Sequence, residues 1–266
     1  FFSNRYQYKE TAALRENCRF LRRPVNRCQI GTNFAATFGV VRKGKKMGNK
    51  NTFWSFFDKI EKDLMHRGAT FRRMFEHIDN FSQPITIVET GCARQAGNWV
   101  GDGCSTLLFD EYVSSRNDGS RVTTVDLSSQ AVKSCKEMVS SNVDVFQGDS
   151  VPFLNAFVKE AKTKEICVPL FYLDSFDLDW TYWQPSAIHH LKELTSIHGF
   201  LGPETMVVVD DCLQTADLLI EEDKIMYYGP PKPGGKGRLV AEYAETVGAK
   251  LEFSSYQAGW TGFNAI

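Results

Sequence analysis

Apolar positions in this chain keep a helical period first and a strand period afterwards. Between Thr52 and Asn80 the residues Phe53, Trp54, Phe57, Ile60 and Leu64, then Phe71, Met74, Phe75 and Ile78, recur every three or four positions, with a break near Arg67 and Gly68. That spacing predicts two amphipathic helices, an N-terminal helical extension whose aromatic stripe is core. Beyond Asn80, short β-rich runs alternate with helical patterns: Ile85 to Glu89, Val122 to Asp126, Val143 to Phe146, Leu170 to Asp174 and Met206 to Asp210. Strands separated by helices form a parallel sheet covered on both faces, so the predicted class is α/β, doubly wound. Residues 238–247 continue as helix, and 250–256 with 259–266 read as two strands joined by a tight turn.

Ligands of such a sheet bind beyond the carboxyl ends of its strands. Glu89, Asp126, Asp174 and Asp210 close four of the five runs, and Asp149 follows the remaining one through Gln147 and Gly148. The repetition predicts a row of carboxylates along one rim. The first crossover adds a second signal. ITIVETGCARQAGNWVGDGCST, residues 85–106, ends a strand on an acid and a glycine and opens a helix through Gly101, Gly103, Ser105 and Thr106. Glycine lets backbone approach a ligand with no Cβ in the way, and Ser105 and Thr106 are suited to cap the helix. Asp126, about twenty residues further on, stands where both hydroxyls of a ribose would be accepted, with Ser128 capping the helix behind it. A nucleoside cofactor belongs here.

Composition narrows the setting. With 266 residues, 42% of them hydrophobic and 24% charged, the chain can bury a full core. No apolar run approaches the roughly 20 residues that span a bilayer, and the opening FFSNRYQYKE lacks a secretory pattern. The expectation is a cytoplasmic protein with no membrane partner. Seven cysteines without CxxC pairs argue against a zinc site and a disulfide framework. Cys92 and Cys104, flanking the glycine loop, read as small buried hydrophobes. The net charge of −1 hides an asymmetry, because residues 1–50 hold twelve Lys or Arg against Glu10 and Glu16. This gives three parts: a basic arm or lid over 1–50, a helical cap over 51–80, and the cofactor-binding domain over 81–266. The arm either binds a polyanion such as nucleic acid, or packs on the acidic body of its own or a neighbouring subunit, the latter a homo-oligomer.

Chemistry is densest in FYLDSFDLDW and VVVDDC, where Asp174 follows the fourth strand and Asp210 and Asp211 the fifth. Three carboxylates at neighbouring strand ends repel one another unless a cation sits between them, and hard oxygen ligands suit magnesium. His189 and His190, near a helix start, are outside candidates for proton transfer. Trp180, Tyr182 and Trp183 either wall a substrate pocket or pack under the loop. PPKPGGKGR, residues 230–238, reads as a flexible basic loop whose Lys236 and Arg238 either hold an anionic substrate group or stay solvated.

The acid ahead of the first glycine, in Glu89-Thr90-Gly91, suits a cationic ligand rather than a pyrophosphate. With Gly148-Asp149-Ser150 and the terminal strand pair, it makes residues 70–266 resemble the class I S-adenosylmethionine-dependent methyltransferases. The resemblance implies a seven-stranded, Rossmann-like sheet whose last strand is antiparallel. It also implies donor-binding roles: Glu89, Thr90 and Gly91 near the methionine part, Gly103, Ser105 and Thr106 in the glycine loop, and Asp126 on the ribose. Asp149 with Ser150 would lie beside the adenine, and Asp174 at the rim. CARQAGNWV between Gly91 and Gly101 makes the loop longer than the family's compact motif, so which glycine meets the donor is open. The carboxylate constellation resembles that of the metal-dependent small-molecule O-methyltransferases of the catechol and the macrocin or sugar types. There, magnesium on Asp174, Asp210 and Asp211 would bind two substrate oxygens, lower the hydroxyl pKa and align the oxygen with the donor methyl. Asp177 would be the base, with Asp179 second. The catechol type has lysine near here, so the aspartate moves this chain toward the sugar type.

The reading is therefore a magnesium-dependent O-methyltransferase acting on a vicinal hydroxyl pair of a small molecule or sugar. Two others stand beside it: a metal-independent nucleic-acid methyltransferase tethered by the basic arm, and a non-catalytic polyanion-binding domain on the same fold. A nicotinamide dehydrogenase comes fourth.

Overall fold

The computed structural model describes residues 50–101, 104–215, 218–221, 224–227 and 231–263, with backbone alone at 50, 51, 218–221 and 224–227. The basic arm, apart from Lys50, and Gly103 lie outside the described residues.

Two helices open the described chain, α1 (Lys50–Ile60) and α2 (Gly68–Ile78), the second entered through a 3-10 turn at Met65–Arg67. Their apolar stripe is core, as its spacing predicts: Phe53, Phe57, Phe71 and Phe75 are each at most 1% exposed. Phe53 meets Phe75 edge-on at 4.6 Å and Tyr112 at 5.0 Å between ring centroids. Asp79 closes α2 by accepting from Trp54 Nε1 at 3.0 Å and from the Tyr112 hydroxyl at 2.9 Å. The chain then alternates: β1 (Thr86–Thr90), α3 (Ser105–Arg116), β2 (Arg121–Asp126), α4 (Ser129–Met138), β3 (Val143–Gln147), α5 (Ser150–Thr163), β4 (Leu170–Leu173), α6 (Gln184–Ile197) and β5 (Met206–Val209). Four short strands follow, β6 (Gln214–Thr215), β7 (Leu218–Glu221), β8 (Lys224–Tyr227) and β9 (Lys232–Pro233), and the chain ends with α7 (Arg238–Val247), β10 (Lys250–Ser254) and β11 (Ala258–Thr261).

Seven of the strands form one sheet in the order β10-β11-β5-β4-β1-β2-β3. β1 to β5 run parallel, and β11 runs antiparallel to both β5 and β10. This is the doubly wound, Rossmann-like sheet with an antiparallel last strand. Strand alternation divides the core in two. Ile87, Leu170, Tyr172, Met206 and Val208 join α1 to α4 on one face, while Val88, Phe171, Leu173, Val207 and Val209 join α5 to α7 on the other. The segment between β5 and α7 carries two small sheets, β6 with β9 and the antiparallel β7–β8 pair, so the loop expected over 230–238 begins with the short strand β9. The β-formers Leu218 to Ile220 and Ile225 to Tyr227 account for that pair. Among the described residues no helix is long and apolar enough to cross a membrane.

Candidate active site

Chain direction through the sheet reverses between β1 and β4, and this switch point is where open α/β sheets hold ligands. Register aligns the strand ends there: Thr90 pairs with Val125 and Leu173, and Leu173 with Val209. Gly91, Asp126, Asp174 and Asp210 therefore form one row, as the terminal acids predict. Glu89 is the exception. Two residues short of the row, it lies beneath the rim against the helical layer and is fully buried. Its carboxylate accepts from Thr106 Oγ1 at 2.6 Å, and that oxygen accepts from Ala93 N at 2.8 Å, so Glu89 ties the loop after β1 to the start of α3. Burial pushes its carboxyl up to about 7, against the pull of the Ser105 and Thr106 hydroxyls. Ser105 and Thr106 are not caps, since they are the first two residues of α3 and Cys104 ahead of them makes no side-chain capping bond. Cys92 and Cys104 are buried, and the Cys104 thiol donates to Gln95 O at 3.3 Å.

Gly91 is required by geometry. Its φ is +81°, and a Cβ there would collide with the Asp174 carbonyl. The turn lets Gly91 N–H reach Val125 O at 2.8 Å and Cys92 N–H reach Asp126 Oδ2 at 3.2 Å. Ser128 N–H donates to the other Asp126 oxygen at 2.7 Å. Asp126 is thus held by two backbone donors, each carboxylate oxygen keeping a lone pair for a hydroxyl. Ser128 caps α4 through Ala131 N, as predicted, and exposed Asp149 caps α5 through Val151 N at 2.9 Å. Ser150 is buried, its Oγ lying 2.9 Å from His189 Nε2. The same nitrogen lies 3.5 Å from Glu193 Oε1, which accepts from Ser175 Oγ at 2.6 Å. His189 thus stitches α6 to the ends of β3 and β4. His190 is buried and neutral. Its Nδ1–H donates to Ser186 O at 2.8 Å, and burial lowers its pKa to about 4.

On the other side of the switch point, Asp174, Asp210 and Asp211 come together with one oxygen of each inside a 4.8 Å group. Their repulsion is met within the chain. Arg67 Nε donates to both Asp210 oxygens, at 3.1 and 2.9 Å, and its Nη2 lies 3.4 Å from Asp211 Oδ1. Lys236, 2% exposed, donates to Asp174 Oδ1 and lies 3.0 Å from Asp211 Oδ2. The Arg67 guanidinium also stacks over Tyr256, 4.4 Å from its centroid. Burial, with Asp210 and Asp211 beside it, pushes the Asp174 carboxyl well above the carboxylate range despite Lys236. Burial opposes ionisation of Asp211 as well, but Lys236, the Tyr256 hydroxyl and Arg67 together outweigh it and hold that carboxyl down. Lys236 stays charged because its three carboxylates overcome the burial that would neutralise it.

Neither sequence reading of Lys236 fits this position, since it holds no exposed anion site and is not solvated. Magnesium fits only half of what the cluster offers. The donors are the hard oxygens it takes, but two buried protein cations already engage five of the six carboxylate oxygens. The sixth, Asp174 Oδ2, makes no hydrogen bond among the described residues. Arg67 escapes the sequence reading because it interrupts a helical pattern, and Lys236 is singled out there without its carboxylate partners because it lies in a glycine-rich loop. The break at Arg67-Gly68 was the only signal. Asp177 is exposed, 3.6 Å from Arg94, and Asp179 accepts from Thr181 N at 2.8 Å and Tyr182 N at 3.1 Å in the same loop. Trp180 and Tyr182 are 51% and 70% exposed, so they do not pack under it.

No protein-family model matches the chain. No curated protein matches it either. Solved structures share its chain path. A protein from Corynebacterium glutamicum is 11% identical over 78% of this chain and 89% of that one, with a TM-score of 0.46. A SAM-bound amino pentose methyltransferase from Micromonospora echinaspora, involved in calicheamicin biosynthesis, is 11% identical over 80% and 91%, with a TM-score of 0.38. DhpI, solved with S-adenosylhomocysteine, is 12% identical over 80% and 96%, with a TM-score of 0.36. Methyltransferases are among these neighbours.

Proposed function

We propose that the chain is an S-adenosylmethionine-dependent methyltransferase acting on a hydroxyl oxygen of a small molecule or sugar. The observation that carries this reading is the pairing, across the switch point, of a backbone-held Asp126 beside the Gly91 turn with a carboxylate, Asp174, that keeps one oxygen unengaged. S-Adenosylmethionine would supply a methyl on a cationic sulfur, so that the acceptor oxygen forms the new C–O bond as the C–S bond breaks and the acceptor loses its proton.

The residues that would hold the donor fit it in chemistry. Asp126 offers two lone pairs to a ribose, Gly91 leaves room for close backbone approach, and Asp149 with Ser150 closes the adenine end. Glu89, Thr90, Ser105 and Thr106 act from behind, fixing the loop that Gly91 begins. Asp174 would take the proton from the acceptor, because a carboxyl raised by its surroundings is a stronger base than an ordinary one. Asp177, on the exposed loop with Trp180 and Tyr182, would then serve the acceptor's approach, with the rings offering faces to a sugar or aromatic. The nucleic-acid alternative rests on residues 1–50, outside the described chain.

Calorimetry with S-adenosylmethionine and S-adenosylhomocysteine tests the reading. Expected are dissociation constants of about micromolar order for both, weakened at least about tenfold in Asp126→Ala, the loss of one charged hydrogen-bonding group. No heat with either compound overturns it.

A further inference from the structure

Lys236 is placed by backbone and not by chance of rotamer. Gly235 adopts φ +50°, where a Cβ would run into the Asp211 carbonyl, and that carbonyl accepts from Lys236 N–H at 3.2 Å. Gly237 follows with no room for a side chain, since a Cβ would strike Cys212 Sγ. Two glycines thus clamp the loop against Asp211 and Cys212, beyond the end of β5, and deliver one buried ammonium between Asp174 and Asp211. From the opposite side Arg67 saturates Asp210. Three carboxylates against two cations leave one negative charge, and the ammonium lies where a divalent ion would have to bridge Asp174 and Asp211.

We propose that Lys236 is the resident cation of this site, standing in place of a divalent metal, and that the acceptor is accordingly bound through a single hydroxyl rather than chelated through a vicinal pair. The proposal rests on the methyltransferase reading for the acceptor but not for the metal. A metal at this place would offer open positions that two adjacent substrate oxygens can share, with carboxylates and water filling the rest of its octahedron. An ammonium offers no such pair of positions, its donors going to Asp174 and Asp211. Asp174 Oδ2 then faces the same acceptor as a lone-pair partner. Lys236 in this role is a positioning residue. It holds Asp174 in place and supplies the charge that a metal would otherwise bring.

The first measurement uses wild-type protein and manganese, followed by electron paramagnetic resonance and by calorimetry, so turnover is not needed. Expected is no stoichiometric manganese bound, and S-adenosylmethionine affinity unchanged by chelator. One manganese held by wild type and lost in Asp211→Asn overturns the proposal. Lys236→Met is the complementary variant: with the ammonium gone and two net negative charges left, the cluster should acquire a manganese site. A folded Lys236→Met that takes up no manganese also overturns it, and if that variant does not fold the wild-type measurement decides alone. Once an acceptor is found, its monohydroxy and vicinal-dihydroxy forms should be methylated with kcat/KM within about threefold of one another, too small a difference for a lost metal contact. Magnesium should leave that ratio unchanged, and methylation confined to the dihydroxy form with magnesium overturns the acceptor half. Absent donor binding would remove the methyltransferase reading while leaving the manganese result standing.

Discussion

The two halves of the rim solve the same problem, a carboxylate at a strand end, by opposite means. On the β1–β2 side Asp126 is held by N–H groups of Cys92 and Ser128, within 34 and two residues of it, and stays partly open. On the β4–β5 side Asp210 is 1% exposed and depends on a guanidinium 143 residues earlier in the chain. The first half is made of turns and is tolerant of charge. The second is made of ions shut away from water, so it loses heavily when one member is removed.

Arg67→Ala is therefore the most damaging single change. It strands Asp210 as an unpaired buried charge and should cost about 3–5 kcal/mol in urea unfolding at neutral pH. The loss should shrink as pH falls. With Arg67 gone, the folded-state pKa of Asp210 rises further above its unfolded value, so the variant is most stable when that carboxyl is protonated and loses stability as pH rises. Adding Asp210→Asn should recover much of the cost, and a double-mutant cycle that shows no coupling would break the contrast between the halves.

What could be read from the sequence follows the same division. Strand ends, the Gly91 turn, the Ser128 cap and the aromatic stripe are all set by patterns within a few residues, and each lies where its spacing puts it. The three aspartates were legible as a group for the same reason, since each ends a strand. Their cations were not. Arg67 enters from the turn before α2 and Lys236 from the loop before α7, and nothing local marks a lysine among glycines as buried. The inference that the carboxylates need a cation was sound physics, and the chain supplies two of its own. Glu89 shows the limit in another way, because its pairing with Thr124 and Tyr172 sets it two residues below the rim, where its carboxylate is buried under the site and not presented to it.

Glu89 sharpens the comparison from the donor side, as a fully buried carboxylate with no salt-bridge partner among the described residues. Its pKa stands at about 7 in the fold against 4.5 ordinarily, so the fold favours the protonated form and stability declines as pH rises from 4.5 through 7, by about 3 kcal/mol in all. Glu89→Gln keeps an acceptor for Thr106 and carries no charge. Thermal melts of the variant should lose that decline between pH 5 and pH 8, and an unchanged slope would mean that another group titrates.

Gly91→Ala should cost less than Arg67→Ala in stability and more in donor binding. Positive φ alone costs a side chain roughly 1–2 kcal/mol, and the Cβ would press on the Asp174 carbonyl, pushing apart the ends of β1 and β4 where the two halves meet. The expected signature is S-adenosylmethionine affinity weakened beyond detection in a protein that still melts cooperatively. Retained affinity would place the donor elsewhere on the rim.

The smallest effect comes from two lysines of one loop. Lys232 pairs with Glu245 at 3.1 Å with side chains 43% and 71% exposed, whereas Lys236, four positions on, is 2% exposed between two carboxylates. Water and salt screen the first pair, which is worth about 0–1 kcal/mol, so Lys232→Ala should shift the urea midpoint barely at all and should lose even that shift in high salt. Lys236 in the same assay is protected from salt by its burial. If Lys232→Ala proved as costly as Lys236→Met, burial would not be what separates the ionic half of the rim from the surface around it.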